Sequence, residues 1–288
     1  MRDFIITTDN TADLPDSFLA AHNIKPAYLP YSFGDKIYNS DSSLSIQDFY
    51  NKMRGGEMPT TMALNPDDAK DFFNSYIQKG LDILYICFSS GLSSTYNNAC
   101  IAAKEIMDEN PGSRIIVIDS LAASLGEGLM VYRAYQLKEA GLSIDETASY
   151  LNEHAKNFVH LFTVDDLNHL HRGGRVSKAT AIVGTLAGIK PILHVDDEGH
   201  LIAIGKTRGR KKSILELLDR METLIGSYKD ETDKVFISHG DCLEDAQFLA
   251  DKIKERFGKE VIINYICPTI GTHSGPGTLA LFFMGEHR

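Results

Sequence analysis

The sequence predicts an α/β protein in two parts, a parallel-sheet domain at residues 1–157 and a mixed-sheet domain at residues 158–288. A chain of 288 residues is comfortable for two domains of ordinary size. In the first half, short apolar runs alternate with helical periodicity, which is typical of βα units around a parallel sheet. In the second half, two apolar runs flank the turn Asp196-Asp197-Glu198-Gly199, which indicates an antiparallel hairpin and therefore a mixed sheet.

The elements of the first part follow from apolar runs and helix-capping residues. The clearest helix start is Asn65-Pro66-Asp67-Asp68, because Asn caps, Pro suits the first helical position and the two acids favour the positive end of the helix dipole. Strands are predicted at residues 4–7, 27–33, 81–88 and 114–118, and helices begin near residues 13, 65, 93, 124 and 144.

The elements of the second part begin with a strand at residues 159–164, a short helix and the glycine-rich loop Arg172-Gly173-Gly174-Arg175. The hairpin strands are predicted at residues 189–195 and 200–206. Helices near residues 213–227 and 243–257 then alternate with strands at residues 235–239 and 261–267. The sequence shows no internal repeat with the period that is typical of solenoid proteins.

Composition excludes several classes of protein. Hydrophobic residues make up 43% of the chain and charged residues 24%, as in soluble globular proteins, and no apolar run approaches the ~18 residues of a membrane span. The N-terminus enters an apolar strand without a signal-peptide core, so we expect the chain to stay in the cytoplasm. The formal net charge of −10 argues against nucleic acid as the main partner.

The four cysteines, Cys87, Cys100, Cys242 and Cys267, lie far apart and show no metal-ligand spacing. We expect them to be reduced, mainly as small core residues. No histidine–glutamate or cysteine–histidine motif of a metal site is present, so the sequence predicts neither a metal nor a cofactor.

One segment opposes the overall charge, and we call it the cationic segment: Lys206, Arg208, Arg210, Lys211 and Lys212. A local basic patch on an acidic protein suggests docking to something anionic. On charge alone, a solvated helix start explains the segment equally well.

Three polar loops are candidates for ligand binding: Thr60-Thr61, residues 89–96 and residues 271–277. The second loop joins a strand end to a helix start, where open parallel sheets bind ligands and helix N–H groups attract anions. Ser93 would add a hydroxyl donor at that point. Alternatively, Ser93 only caps the helix.

Six segments, in the same order, resemble the motifs of the DegV family. They are Ile6–Leu14 (V-T-D-S-T-A-D-L in the family), Ser89–Tyr96 (S-S-G-L-S-G-T-Y, with Ser94 replacing glycine), Leu170–Ser177 (L-x-x-G-G-R-I-S), Gly188–Leu193 (around K-P-I-L), Arg208–Lys212 (R-x-R-K-K) and Gly271–Gly277 (G-x-H-x-G-P-G). Each match is weak alone, but together they cover residues 5–277 in family order.

The resemblance implies a two-domain fold with a long-chain fatty acid in a tunnel between the domains. It implies a partner, the ATP-dependent fatty acid kinase, which converts the bound carboxylate to an acyl phosphate for phospholipid synthesis. Carried over by motif, the fatty-acid site would comprise Thr61, Ser93, Ser94, His273 and either Arg172 or Arg175, of which Arg175 matches the motif better. Kinase docking would fall to Arg208, Arg210 and Lys211.

One segment departs from the family pattern. The family usually reads P-x-T-S-Q-P, whereas this chain has Pro59-Thr60-Thr61-Met62-Ala63-Leu64. The threonine is kept, but three apolar residues replace Ser-Gln-Pro. Either the tunnel mouth is more apolar than usual or the head-group contacts are rearranged.

Two other functions stay open at this point. An acyl hydrolase would use Ser93 as nucleophile, His273 as base and Asp9 or Asp119 as the orienting acid, although the sequence around Ser93 lacks the second glycine of a nucleophile elbow. A module for another anionic lipid or metabolite would use the same loops without a kinase.

Overall fold

The protein, seen here as a computed structural model that describes residues 3–177 and 188–288, is built on three β-sheets. The strands are β1 (Phe4–Thr8), β2 (Tyr31–Phe33), β3 (Lys36–Tyr38), β4 (Pro59–Thr61), β5 (Asp82–Cys87), β6 (Ile115–Asp119), β7 (Phe158–Thr163), β8 (Ile189–Val195), β9 (Leu201–Arg208), β10 (Lys234–His239), β11 (Glu260–Tyr265) and β12 (Leu279–Met284). The α-helices are α1 (Asp16–Ala21), α2 (Ile46–Arg54), α3 (Pro66–Ile77), α4 (Thr95–Glu109), α5 (Leu125–Glu139), α6 (Ile144–Glu153), α7 (Asn168–Arg172), α8 (Arg210–Leu224), α9 (Leu243–Phe257) and α10 (Pro268–Ser274). Short 3-10 helices occupy Asn10–Ala12, Ala155–Asn157 and Gly226–Lys229.

The first sheet has the order β1-β5-β6, and it is parallel, as the alternation of apolar runs and helices predicts. All six residues of β5 are buried, as expected of a central parallel strand. The predicted cap of α3 is confirmed, because the Asn65 side chain accepts a hydrogen bond from the Asp68 N–H at 2.9 Å. All three strands end at the edge where the loop at residues 89–94 begins.

The second sheet is mixed, with the order β11-β10-β12-β7-β8-β9. The predicted antiparallel hairpin is confirmed as β8 and β9, joined by a turn at residues 196–200. Strand β12, which the sequence analysis left unassigned, lies at the centre of this sheet between β10 and β7. The strands of this sheet all follow residue 157; the domain boundary itself stays a prediction.

The third sheet corrects the strand predicted at residues 27–33. Only β2 forms there, and it pairs antiparallel with β3 and β4 in a small separate sheet. Ala27 makes an isolated parallel bridge with Asp9 instead. This small sheet places Thr61, the last residue of β4, beside α10.

Helix α5 lies between the two larger sheets, and its N-terminal half is buried. Gly126 permits close packing, since a Cβ there would lie 2.9 Å from the rings of His160 and Phe282. A Cβ at Gly128 would lie 2.6 Å from the Ala12 carbonyl oxygen. Helices α8 and α9 cover the opposite face of the mixed sheet.

The two larger sheets also meet where the β8–β9 turn packs on the loop after β5. The Ser89 hydroxyl donates to the Gly199 carbonyl oxygen at 2.9 Å. A Cβ at Gly91 would lie 2.7 Å from the Glu198 carbonyl oxygen. Close approach of the two backbones therefore closes one side of the space between the sheets.

No helix in residues 3–177 and 188–288 is long and apolar enough to cross a membrane. The same residues contain no cluster of three or more potential metal ligands.

Candidate ligand-binding site

A cavity of about 250 Å³ lies between the loops of the parallel sheet and the inner face of the mixed sheet. A buried water needs only ~10–15 Å³ on a comparable measure, so this space holds a molecule much larger than water. Its two ends differ in character, and we name them by their residues. The mouth comprises Thr61, Met62, Ser93, Ser94, Arg175 and His273, and the floor comprises His160, Phe162, Val195, Leu201 and Phe282.

At the mouth, the hydroxyl of Thr61 and Nε2 of His273 are hydrogen-bonded at 2.9 Å. Thr61 ends a strand of the small sheet, whereas His273 lies in α10, so 212 residues separate the partners in sequence. Residues 271–277, predicted as a loop, are helical up to Ser274. The contact fixes both side chains at the rim of the cavity.

Ser93 both lines the cavity and organises the start of α4. Its Oγ accepts a hydrogen bond from the Thr95 N–H at 3.2 Å and lies 2.9 Å from the Thr95 hydroxyl. The capping interpretation and the binding interpretation are therefore compatible. Ser94 is exposed at the mouth, and its N–H donates to no other group in the described part of the chain. An N–H at the start of a helix, together with the helix dipole, can donate to an anion.

The two candidate arginines behave differently. Arg175 lines the cavity and donates from Nε and Nη2 to the Leu92 carbonyl oxygen at 3.2 and 3.0 Å, and from Nη1 to the Gly173 carbonyl oxygen. It thus ties the glycine-rich loop to the loop that carries Ser93. Arg172 is exposed, donates to His169 at 2.8 Å and does not line the cavity.

Burial and the positive charges of Arg175 and Arg172 lower the pKa of His273 to about 4. The imidazole is therefore neutral at physiological pH, and Arg175 supplies the positive charge of the mouth. The His273 ring packs directly on Gly173, where a Cβ would overlap Nδ1. The glycine at position 173 is therefore required by the position of His273.

The floor is formed mainly by the mixed sheet. Phe282 pairs with His160, and Val195 pairs with Leu201, so one row of side chains crosses four strands under the cavity. Sequence analysis missed His160. Its position inside the apolar run Phe158–Thr163 is the signal that could have identified it, because all residues of that strand are buried.

Only part of the segment Met62-Ala63-Leu64 lines the cavity. Met62 and Ala63 line the cavity, and 37% of Met62 is exposed. Leu64 points elsewhere into the core around Phe73, and its N–H donates to the Thr95 hydroxyl at 3.3 Å. Two of the three positions that depart from the family motif therefore present apolar side chains to the cavity, and the third does not line it.

The residues of the cationic segment differ in their exposure to solvent and in their ion pairs. Arg210 begins α8 and pairs with Asp245 at 2.8 Å and with Asp165 at 3.7 Å, so it does not act as a solvated cation. Arg208 and Lys211 are exposed, and the Lys211 ammonium lies 5.2 Å from the centre of the Phe248 ring. Asp165 follows β7, so the segment lies at the end of the mixed sheet from which α7 and Arg175 continue.

A hydrolytic triad is not assembled in the described residues. His273 Nε2 contacts Thr61 rather than Ser93. Asp119 accepts from the N–H groups of Ser90 and Leu121, each at 3.1 Å. Asp9, the other candidate acid, contacts Thr11, Tyr85 and Phe88, and no hydrogen bond to His273 is found among the described residues.

A buried cluster joins two acids, Asp9 and Glu127, with two threonines, Thr8 and Thr11. The Thr11 hydroxyl contacts Asp9 Oδ1 and lies 2.9 Å from Glu127 Oε2, while the Thr8 hydroxyl donates to Glu127 Oε1 at 2.7 Å. Both acids are fully buried, and burial raises the pKa of each carboxyl.

A second buried acid supports the wall near the floor. The Ser124 hydroxyl, which lines the cavity, donates to Asp13 and lies 2.8 Å from the Ser238 hydroxyl. Asp13 also accepts from the Cys267 N–H at 2.9 Å. Burial raises the pKa of Asp13 to about 7, although both hydrogen bonds oppose that shift.

Both the sequence and the structure are similar to those of known proteins. Residues 3–286 match the profile of the family described as "Uncharacterised protein, DegV family". A DegV domain-containing protein of Clostridium perfringens is 44% identical over 99% of both chains. The structure is similar to that of a fatty-acid-binding DegV family protein from Thermus thermophilus (29% identity, TM-score 0.87, 99% of this chain and 100% of the other). It is also similar to DegV, a fatty acid binding protein from Bacillus subtilis (27% identity, TM-score 0.85, 99% of this chain and 100% of the other).

Proposed function

This chain belongs to the DegV family, and we propose that it holds one long-chain fatty acid in the cavity and presents the carboxylate to an ATP-dependent fatty acid kinase. The observation that carries the proposal is the cavity itself, with one polar, cationic mouth and a largely apolar floor. This polarity matches a molecule with one anionic end and a long apolar chain.

The energetics favour burial of the chain. Covering about 15 methylenes at ~0.8 kcal/mol each yields roughly 12 kcal/mol before the cost of immobilising the ligand. A carboxylate buried without donors would cancel several kcal/mol of that gain. The tail therefore sets affinity, and the mouth sets orientation.

Each residue of the mouth has a distinct role in this proposal. Because His273 is neutral, a proton on Nε2 would be donated to Thr61 Oγ1 and leave the Thr61 hydrogen free for the carboxylate. Ser93 and the Ser94 N–H provide further donors at the start of α4. Arg175 acts by its charge and by fixing Leu92, since its donors are already engaged by carbonyl oxygens.

The kinase partner follows from the chemistry of the head group. A carboxylate oxygen is itself a phosphoryl acceptor, so acyl-phosphate formation requires placement of that oxygen and no nucleophilic side chain from this protein. The acyl phosphate would then feed phospholipid synthesis. The hydrolase alternative is disfavoured because Ser93, His273 and the two candidate acids are not connected.

Ligand binding is tested by lipid extraction from protein purified without added ligand. We expect close to one long-chain fatty acid per chain by mass spectrometry, because an apolar cavity of this size favours an apolar occupant. An extract containing only a phosphorylated metabolite, or no lipid, would reject the fatty-acid proposal. Labelling of Ser93 by a fluorophosphonate would instead support the hydrolase.

Kinase docking is tested with the exposed part of the cationic segment. The double reversal Arg208→Glu, Lys211→Glu should leave fatty-acid binding unchanged and weaken the apparent affinity for the kinase, because exposed charges mainly steer association. Arg210 is left intact, since reversing it would break its contact with Asp245. Wild-type kinetics at physiological salt in this variant would refute docking through the segment.

The matched control for that experiment reverses two exposed lysines outside the segment, Lys229→Glu and Lys254→Glu. It changes the net charge by the same amount. If both double variants lose kinase affinity equally, the effect belongs to total charge and not to the cationic segment.

A further inference from the structure

The inner face of the mixed sheet changes from cavity wall to core along strand β12. Side chains on one face of a strand recur at every second residue, so Ala280, Phe282 and Met284 share a face. Ala280 and Phe282 line the cavity, whereas Met284 packs into the core and does not line it. Along this strand, the cavity therefore ends at the ring of Phe282.

The neighbouring strand β7 shows the same change at the same level. Phe162 and His160, which pair with Ala280 and Phe282, line the cavity. Phe158, the next residue on that face, is fully buried in the core and does not line it. Because β7 runs toward α7 and the mouth, this boundary is at the end of the cavity that lies farthest from the mouth.

The ring of Phe282 is held in place by its neighbours. His160 packs against it edge-on, with ring centroids 5.7 Å apart. From α5, Gly126 approaches so closely that a Cβ there would lie 2.9 Å from Phe282 Cδ1. Phe236, its partner on β10, is fully buried. Moving the ring would overpack a core that is already filled, so the ring acts as a fixed wall.

We infer that Phe282 sets the upper limit of acyl-chain length, because its ring is the wall that the end of the chain meets. The inference rests on the proposed function, since it requires the carboxylate at the mouth and the tail toward the floor. Each further methylene that the cavity covers should tighten binding about fourfold. A methylene beyond the wall gains nothing and strains the chain or the protein. Affinity should therefore rise with chain length up to one acid, which we call the limiting acid, and fall for the next.

The test measures the affinity of wild type and of Phe282→Ala for lauric, myristic, palmitic, stearic and arachidic acids, by competition with a fluorescent fatty acid. In Phe282→Ala, the affinity for the acid one step longer than the limiting acid, relative to the limiting acid, should rise at least tenfold. The reason is that the two further methylenes enter the space that the ring occupies in wild type.

Phe283→Ala is the matched control. It removes the same ring from the next residue of β12, on the opposite face, where Phe283 packs in the core covered by α8 and α9. This variant should lower the free energy of unfolding and leave the ratio of the two affinities as in wild type. An equal change of the ratio in both variants would overturn the inference.

The outcomes separate the two proposals. If fatty acids bind wild type but affinity rises across the whole series, or Phe282→Ala keeps the wild-type ratio, the role of Phe282 is rejected while fatty-acid binding stands. If no acid of the series binds wild type, both proposals fail. Should Phe282→Ala not fold, wild type loaded with the limiting acid, labelled with carbon-13 at its terminal methyl, replaces it. Isotope-filtered NMR should then show NOEs from that methyl to the Phe282 ring, and their absence would refute the inference.

Discussion

The mouth and the floor of the cavity satisfy their polar groups in different ways. At the mouth, Thr61 contacts His273 and Arg175 contacts Leu92, so polar groups from distant parts of the chain hold one another. Near the floor, Ser124 is tied to the buried acid Asp13, whereas neither ring nitrogen of His160 has a hydrogen-bond partner in the described part of the chain. Polar contacts within the chain thus organise the mouth, whereas the floor is mainly apolar.

This difference separates orientation from selection. In the proposed complex, a preorganised mouth would fix the position of the carboxylate oxygen, which phosphoryl transfer to that oxygen needs. The floor would contact the tail through dispersion and shape, so tail specificity would depend on its side chains. Variants at the two ends should therefore affect different observables.

The largest effect is expected in the free energy of unfolding, through Asp13, which is hydrogen-bonded to Ser124 in the cavity wall near the floor. The pKa of Asp13 is raised from 3.8 to about 7 in the folded state, so its contribution to stability is fully present below pH 3.8 and is lost as pH rises to about 7. The loss approaches ~4 kcal/mol in the free energy of unfolding. Asp13→Asn should remove this dependence, measured as the urea midpoint between pH 4 and 8.

The control for Asp13→Asn is Asp16→Asn, an exposed acid at the start of α1. The difference between each variant and wild type is the informative quantity, because His273, with a lowered pKa, makes stability rise with pH over part of the same range. If both variants follow wild type in parallel across the pH range, Asp13 is ionised in the fold and our account of the wall is wrong.

The next largest effect is expected from Gly173→Ala at the mouth. The new methyl would overlap Nδ1 of His273, so the ring must move away from Thr61. We expect roughly a 100-fold loss of fatty-acid affinity by fluorescence displacement, the scale of ~2–3 kcal/mol for disrupted donors to a buried charge. Gly174→Ala is the control: a Cβ there meets no atom within 4 Å, and its positive φ costs stability only. Equal affinities for the two variants would show that the position of His273 does not matter.

A smaller loss is expected when single hydroxyls of the mouth are removed. Thr61→Val and Ser93→Ala should each weaken fatty-acid binding by roughly 1–3 kcal/mol, because each removes a donor to the carboxylate. Thr60→Val serves as the neighbouring control, since the Thr60 hydroxyl contacts Ser32 and does not line the cavity. Calorimetry that finds wild-type affinity in both Thr61→Val and Ser93→Ala would invalidate the assignment of the mouth.

The smallest effect is expected at the rim. Met62→Ser restores the residue usual in the family and replaces an apolar side chain that is 37% exposed. We expect a change in head-group affinity below ~1 kcal/mol, since one partly exposed hydroxyl adds little net free energy. A change as large as that of Thr61→Val, measured in the same titration, would place Met62 in direct contact with the carboxylate.

Sequence reasoning predicted the features that depend on local signals. The capped helix α3, the β8–β9 hairpin and the parallel character of the first sheet follow from capping residues and apolar periodicity. The resemblance to the DegV family is also confirmed. The roles of the mouth residues stay predictions, although the structure brings five of the six candidates to one cavity.

What sequence reasoning missed depends on tertiary contacts. Strands β2, β3 and β4 have three residues each, too few for periodicity to reveal. Sequence reasoning did not predict the ion pairs of Arg210, because its partners Asp165 and Asp245 are distant in sequence. In contrast, β12 is an unbroken apolar run and should have been predicted as a buried strand.

The contacts of Thr11 bear on how many protons the buried carboxyls of Asp9 and Glu127 carry. Its hydroxyl carries a single hydrogen but lies within hydrogen-bonding reach of both Asp9 and Glu127, so two separate hydrogen bonds form there only if one of the two carboxyls itself carries a hydrogen. Burial raises the pKa of both carboxyls, which favours that proton, whereas the formal charge of −10 counts both groups as ionised. Denaturation at pH 8 should consequently acidify a weakly buffered solution, a change that an indicator dye would register and that Glu127→Gln should diminish.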